Sequence, residues 1–132
     1  MERSSLNIMD ERRTKRVSEA VREELIELIG FEMQDPRLLP AEVNHVTLSP
    51  DGRHAHVLIG VRGDEKAQSD VFAALDHAQN FLRHQLAERL SLRRVPELHF
   101  AADLGAESLD RIELLLQRAR KSRGEDEKQS SK

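Results

Sequence analysis

The spacing of hydrophobic residues changes several times along this chain, and these changes restrict its fold more than any other feature. From about Asp10 to Met33 apolar residues recur every three or four positions, which predicts one long amphipathic helix. Between Val43 and Val61 the period becomes two, which predicts two strands. The helix should end before Asp35, because Pro36 has no N–H and restricts the residue that precedes it.

The two strands are predicted to form a hairpin through the turn Ser49-Pro50-Asp51-Gly52. Proline presets its own φ, aspartate can bond to the local backbone, and glycine accepts a positive φ without steric cost. Val46, Leu48, Ala55, Val57, Ile59 and Val61 would line one face. A register that pairs Leu48 with Arg53 would also pair His45 with His56.

The second half of the chain predicts further helices and one more strand. Residues 63–68 look like a polar connector, Ser69 is a plausible N-cap, and one apolar stripe runs from Val71 to Leu90. Residues 96–103 alternate as a strand does, and Leu109 begins a final helical pattern. This order predicts an α+β domain over residues 10–121, with helices on one face of a three-stranded sheet. Residues 1–9 are expected to be flexible, and the charged tail 122–132 to be disordered.

Composition excludes several classes of protein. The 132 residues include no cysteine, tyrosine or tryptophan, so thiolate metal sites, disulfides and aromatic base-stacking platforms are not expected. No apolar run could span a bilayer or serve as a signal peptide, which favours the cytoplasm and no membrane partner. The six glycines are scattered, which argues against a nucleotide cofactor. A net charge of -3 means that any RNA affinity must come from a local basic patch.

Two clusters of basic residues are the candidates for such a patch. The stretch from Arg83 to Arg94 holds four arginines and one acid, Glu88, and a second cluster lies near the start of the first helix. Arginine suits phosphate contacts because its planar fork reaches two oxygens at once. The plainer interpretation is a solvated helix face. The candidate RNA-binding residues are Arg12, Arg13, Lys15, Arg16, Arg83, Arg89, Arg93 and Arg94.

Histidines and acids supply weaker signals. His45, His54 and His56 could share the polar face of the hairpin and hold zinc, as a metal-dependent hydrolase would require. No carboxylate is recognisable on that face, so an ordinary exposed sheet face is favoured and no metal is expected. His77, His84 and His99 look isolated. The acids of the first helix, Glu19, Glu23, Glu24 and Glu27, are interpreted as a solvated face, and no catalytic residue is predicted.

The sequence resembles the bacterial ribosome-binding factor A family over roughly Asp10 to Ile112. The order and spacing of several short pieces carry the resemblance. They are Arg16-Val17, Asp35-Pro36-Arg37, Ser49 with Asp51, Ala55 with Val57, Ala78-Gln79-Asn80-Phe81-Leu82-Arg83, Leu92-Arg93, Pro96-Glu97-Leu98, Phe100 and Asp103.

The resemblance implies a KH-like fold of the second type, in which a kinked helix pair replaces the usual RNA-clamping loop. It places the kink at Ala78, Gln79 and Asn80, and adds these three to the RNA-binding candidates. Asn80 stands where the family has glycine, although asparagine visits left-handed backbone space more readily than most residues.

The implied function is that of a monomeric ribosome assembly factor. Such a protein binds free or immature small ribosomal subunits, contacts 16S rRNA near the decoding region and supports late rRNA maturation, especially in the cold. Neither catalysis, a cofactor nor a small-molecule substrate is implied. The alternative is a protein–protein interaction module whose basic face only keeps it in solution.

Overall fold

The computed structural model describes residues 2–105 and 109–118. One long helical part of the chain precedes a β-hairpin and another follows it, as the hydrophobic spacing predicts. The elements are α1 (Glu2–Glu27), a π-helical turn (Leu28–Glu32), a 3-10 turn (Pro36–Leu38), β1 (Ala41–Leu48), β2 (His54–Val61), α2 (Glu65–His77), α3 (Gln79–Leu90) and β3 (Glu97–Ala102). Residues 109–118 are helical as well. The predicted tail, 122–132, lies outside the described residues.

The sheet has three strands in the order β1-β2-β3, and it is mixed. β1 and β2 form the antiparallel hairpin, whereas β3 lies parallel to β2. A parallel neighbour needs a crossover, and α2 and α3 supply it. The α+β class predicted from the sequence is confirmed.

One hydrophobic core joins the helices to a single face of the sheet, which also confirms the prediction. Helix α1 contributes Val21 and Leu25, the π-helical turn contributes Leu28, and the central strand contributes Val57 and Ile59. The other buried members of this cluster are Ile29, Leu38, Val43, Leu48, Ala55, Val71, Ala74, Leu75, Leu82, Leu86 and Leu98. Burial of so many aliphatic side chains is the main source of stability.

The first helix extends further toward the N-terminus than its apolar spacing predicts. It begins at Glu2, so residues 2–9, predicted to be flexible, are helical. Its last turn widens, and the Met33 N–H donates to the Leu28 carbonyl at 2.8 Å. As expected, the helix ends before Asp35. The Asp35 carboxylate accepts hydrogen bonds from the side chain and backbone N–H of Arg37, and these bonds lower the pKa of Asp35.

The predicted turn forms, but the strand register differs from the one considered above. Gly52 has φ of 73° and donates to the Ser49 carbonyl at 2.9 Å. The Ser49 hydroxyl accepts from the His54 N–H, which extends the loop before pairing begins. Leu48 therefore opposes Ala55 rather than Arg53.

Helix α2 begins earlier than the sequence suggests, and Ser69 is not its N-cap. Asp64 is the cap, because its carboxylate accepts from the Ala67 N–H at 2.9 Å. Residues 65–68 are thus the first turn of the helix and not a connector. Aspartate and serine both cap helices well. The sequence favours Ser69 only because the apolar stripe begins shortly after it.

Candidate nucleic-acid interface

The bend between α2 and α3 lies at Ala78, as the resemblance implied. Ala78 has φ of -88° and ψ of 2°, which interrupts the helix for one residue. Its N–H still donates to Ala74, and its carbonyl accepts from Leu82. Asn80 needs no left-handed backbone here, since Ser91 is the one non-glycine residue with positive φ among the described residues.

Gln79 fastens the bend to the sheet. Its side-chain amide donates to the Leu98 carbonyl and accepts from the Leu98 N–H, both at 2.9 Å. β3 is an edge strand, and these bonds satisfy backbone groups that face away from β2. The amide of this predicted RNA-binding residue is therefore engaged inside the protein.

Arg83 is also engaged inside the protein. Its guanidinium donates to the carbonyl oxygens of Pro96 and Val95, each at 3.1 Å. These bonds hold the segment that leads from α3 into β3. No pattern in the sequence distinguishes Arg83 from the other arginines of its cluster.

Arg89 joins the far ends of α3 and α1. It donates to Glu32 at 2.6 Å and to Glu24 at 3.2 Å, with 28% of its side chain exposed. The hydrogen bond with Arg89 lowers the pKa of Glu32, and the same bond raises the pKa of Arg89. Two carboxylates thus offset the charge of this predicted RNA-binding residue.

Arg93 and Arg94 lie in a different setting, at a groove of about 300 Å³. The segment after α3 forms one wall, and the hairpin turn forms another with Pro50, Asp51 and Gly52. The third wall is α1, which brings Arg13 to the same groove. The fold therefore unites members of the two basic clusters, which are about eighty residues apart in sequence.

A second groove extends this surface along α1. Arg13 and Arg16 line it together with Leu90 and Leu92 at the end of α3. We call Arg13, Arg16, Arg93 and Arg94 the basic surface. All four are exposed, and none forms an ion pair with another described residue.

Arg12 and Lys15 are exposed on a neighbouring side of α1. The depression that they border is also lined by Arg16, Glu19 and Glu23. Nearby carboxylates reduce the positive potential there. Arg13, Arg93 and Arg94 share their groove with one acid, Asp51, so they are less compensated than Arg12 and Lys15.

The second face of the sheet gathers histidines, as predicted for His45, His54 and His56, but their partners differ from the expectation. His45 opposes Leu58, and His56 opposes Thr47. His99, which looked isolated, pairs with His56 across β2 and β3, and Glu97 pairs with His54. Partial burial lowers the pKa of His56, and the nearby His99 and His54 lower it further. Sequence reasoning missed both β3 residues because it could not place β3 beside β2.

The sequence and the fold of this chain are similar to those of known proteins. A sequence model described as "Ribosome-binding factor A" matches residues 13–116, which is most of the chain. The chain belongs to the ribosome-binding factor A family. The match includes α1 from Arg13 onward, all three strands and the kinked helix pair.

Individual members of the ribosome-binding factor A family are similar over nearly their whole length. The protein of that name from Solibacter usitatus is 58% identical over 123 residues, covering 93% of this chain and 100% of the relative. The one from Heliobacterium modesticaldum is 45% identical, covering 79% and 86%. The crystal structure of ribosome-binding factor A from Thermus thermophilus superposes with a TM-score of 0.61 at 30% identity, covering 67% of this chain and 93% of that one.

These similarities confirm the KH-like fold that the resemblance implied. One further property of the described residues concerns membranes: none of their helices is both long and apolar enough to cross a bilayer.

Proposed function

We propose that this protein binds the small ribosomal subunit and its precursors, contacting 16S rRNA near the decoding region, and supports late rRNA maturation, including growth in the cold. It acts in the cytoplasm as a monomer and catalyses no reaction. Membership of the ribosome-binding factor A family supports the ribosomal partner.

The convergence of Arg13, Arg16, Arg93 and Arg94 carries the proposal. Phosphate groups are held by cations that are exposed and not already neutralised. These four meet that condition, whereas Arg89 is bound by two glutamates and Arg83 by backbone carbonyls. The grooves between them place arginines on two sides of a concave surface, α1 and the segment after α3.

The remaining predicted residues have supporting roles in this proposal. Gln79 and Arg83 fix the bend and the segment before β3, so that Arg93 and Arg94 project from a fixed frame. Asn80 is exposed on the first turn of α3 and is available for direct contact. Ala78 supplies the bend and no polar group.

The mechanism that fits a small, non-catalytic binder is selection of one rRNA conformation. A protein that binds one arrangement of flexible RNA more tightly than another shifts the population toward it. Backbone contacts suffice for this, because they report the shape of the RNA and not its bases.

The first test is sedimentation of the purified protein with separated small subunits, large subunits and whole ribosomes at several salt concentrations. We expect selective association with small subunits that weakens as salt increases. Replacing Arg93 and Arg94 together by Glu should reduce the affinity for small subunits. It should also lower the salt slope, the slope of the logarithm of the binding constant against that of the salt concentration, by about two units, because each phosphate contact contributes about one.

The matched control is the double variant Arg62→Glu/Lys66→Glu. It changes the net charge by the same amount, and its residues are exposed. Arg62 follows the other end of β2, roughly 25 Å along the strand from the hairpin turn. Equal loss of binding in both double variants would show that net charge alone matters and would remove the basic surface as the site.

Maturation is tested separately in a strain that lacks the gene. We expect small-subunit rRNA with unprocessed ends to accumulate, more strongly at low temperature, and the wild-type gene to restore processing. Normal processing at every temperature would leave the protein as a subunit-binding factor without this role.

The alternative, a protein-interaction module, gains support from apolar side chains at the surface. Phe31 and Leu39 are 75% and 78% exposed. Binding to ribosomal particles that does not weaken with salt, and that Phe31→Ser abolishes, would favour this module over RNA binding.

A further inference from the structure

The second face of the sheet brings together two imidazoles and a carboxylate that the sequence does not place together. The ligand atoms of His54, Glu97 and His99 all lie within 4.8 Å of one another. The Nδ1 of His54 is 2.9 Å from the Nε2 of His99 and 3.9 Å from a carboxylate oxygen of Glu97. Glu97 directly follows Pro96, which lines the groove of Arg93 and Arg94, so this cluster borders the basic surface.

Backbone pairing fixes this arrangement. β2 and β3 are parallel, and the register pairs His54 with Glu97 and His56 with His99. Residues two apart on a strand share a face, so both β3 side chains point to the same side as His54. The alternate residues Ala55 and Leu98 are buried in the core and hold the two strands in register.

From this geometry we propose that His54, Glu97 and His99 bind one zinc ion. Two histidines and one carboxylate form a recurrent zinc ligand set that leaves one position for water. Zinc–ligand bonds of about 2.0–2.2 Å place two ligand atoms roughly 3.3 Å apart in a tetrahedral site. The separations from His54, 2.9 and 3.9 Å, lie on either side of that value, and all three ligand atoms lie within 4.8 Å of one another, so the site requires small side-chain rotations to close around the ion.

The nitrogens that coordinate are specified as well. His54 uses Nδ1 and His99 uses Nε2, since these are the atoms that face each other. Without metal the same two atoms share a hydrogen bond. His56 stacks on His99 with ring centroids 5.2 Å apart and restricts the orientation of that ring.

The ion would link the two strands. β3 is held to the sheet on one side by β2, and the His54 and Glu97 side chains are 44% and 58% exposed. Zinc can therefore reach the site from solvent without unfolding. A ligand that binds the folded chain and not the unfolded one raises the melting temperature with its concentration.

The test uses the full-length protein without a histidine tag, titrated with zinc chloride by calorimetry and with Co²⁺ by visible absorption. We expect one equivalent of either ion per chain and a melting temperature that increases with zinc. His54→Gln and His99→Gln should each lower the affinity by about tenfold or more, and Glu97→Gln should also lower it.

The matched control is His84→Gln. His84 and Glu88 form an exposed histidine–carboxylate pair on α3 at 3.2 Å, so this variant removes an equivalent pair outside the proposed site. Its zinc affinity should equal that of the wild type. Urea unfolding of each variant shows whether the fold is retained, and nitrogen-15 shifts of the imidazoles identify the coordinating atoms.

Two results would overturn the proposal. One is a zinc affinity in folded His54→Gln/His99→Gln protein equal to the wild-type affinity. The other is coordination in the wild type through other ring nitrogens than His54 Nδ1 and His99 Nε2. Zinc affinity is measured on the purified protein without ribosomal particles, so that this proposal and the RNA-binding one are tested independently.

Discussion

Asn44 shows how much one side chain contributes to the geometry of the sheet. It lies in the irregular pairing between Val43 and His45, and its amide donates to Asp103 at 2.7 Å. The bond from Asn44, together with one from the Gly105 N–H, lowers the pKa of Asp103. This contact ties the start of the hairpin to the residue that follows β3.

Gly60 makes room for that side chain. A Cβ at this position would lie 2.9 Å from the amide nitrogen of Asn44. We expect Gly60→Ala to reduce the free energy of unfolding by about 1–3 kcal/mol, because the amide must move and lose its bond to Asp103. Urea denaturation measures this as a lower midpoint.

A double-mutant cycle identifies the cause. In an Asn44→Ala background the obstructing amide is absent, so Gly60→Ala should cost less than it does in the wild type. If Gly60→Ala costs the same in both backgrounds, contact with the Asn44 amide is not the cause of the destabilisation.

None of these residue contacts could be predicted from the sequence alone. Asn44 and Asp103 are 59 positions apart, and nothing in the sequence places them together. Their contact depends on an irregular pairing that changes which residues share a face. Local contacts were more accessible, since the Ser49–Gly52 turn follows from residue types with known φ preferences.

At the scale of elements, the bend between α2 and α3 is fixed by a neighbouring strand and not by its own sequence. Apolar spacing from Val71 to Leu90 is that of one uninterrupted helix, and only the family resemblance indicated a kink. The bend is held by Gln79, whose side chain forms hydrogen bonds with the backbone N–H and carbonyl of Leu98. Nothing local distinguishes this glutamine from Gln85 on the same helix.

Removing the Gln79 side chain tests this role. We expect Gln79→Ala to reduce the free energy of unfolding by about 1–3 kcal/mol, because two part-buried backbone groups of Leu98 lose their partner. Asn80→Ala is the matched control on the adjacent, exposed position, and it should change the free energy by no more than about 0.5 kcal/mol. Thermal or urea unfolding compares the two. Similar stabilities would mean that Gln79 does not fasten the bend.

For the molecule as a whole, the net charge is negative, whereas the basic surface is positive. The chain carries -3, yet the fold collects on one surface four arginines that form no ion pair with another described residue. Sequence reasoning located both basic clusters but could not rank their members. Ranking required knowing that Arg89 meets Glu24 and Glu32, residues separated from it by 65 and 57 positions.

The two sides of α1 supply the sharpest test of that ranking. Arg13 faces the groove shared with Arg93 and Arg94, whereas Lys15 lies beside Glu11 and Glu19. Both are exposed cations two positions apart on one helix, so their Glu variants change the net charge and the helix equally.

We expect Arg13→Glu to weaken binding to small subunits and to lower its salt slope by about one unit, and Lys15→Glu to leave the slope unchanged. The reason is that phosphates approach where positive potential is concentrated, and the nearby acids reduce it around Lys15. Sedimentation across a salt series measures both slopes. A larger effect from Lys15→Glu than from Arg13→Glu would show that the RNA binds on the other side of α1, away from Arg93 and Arg94. The two basic clusters could then not act as one surface.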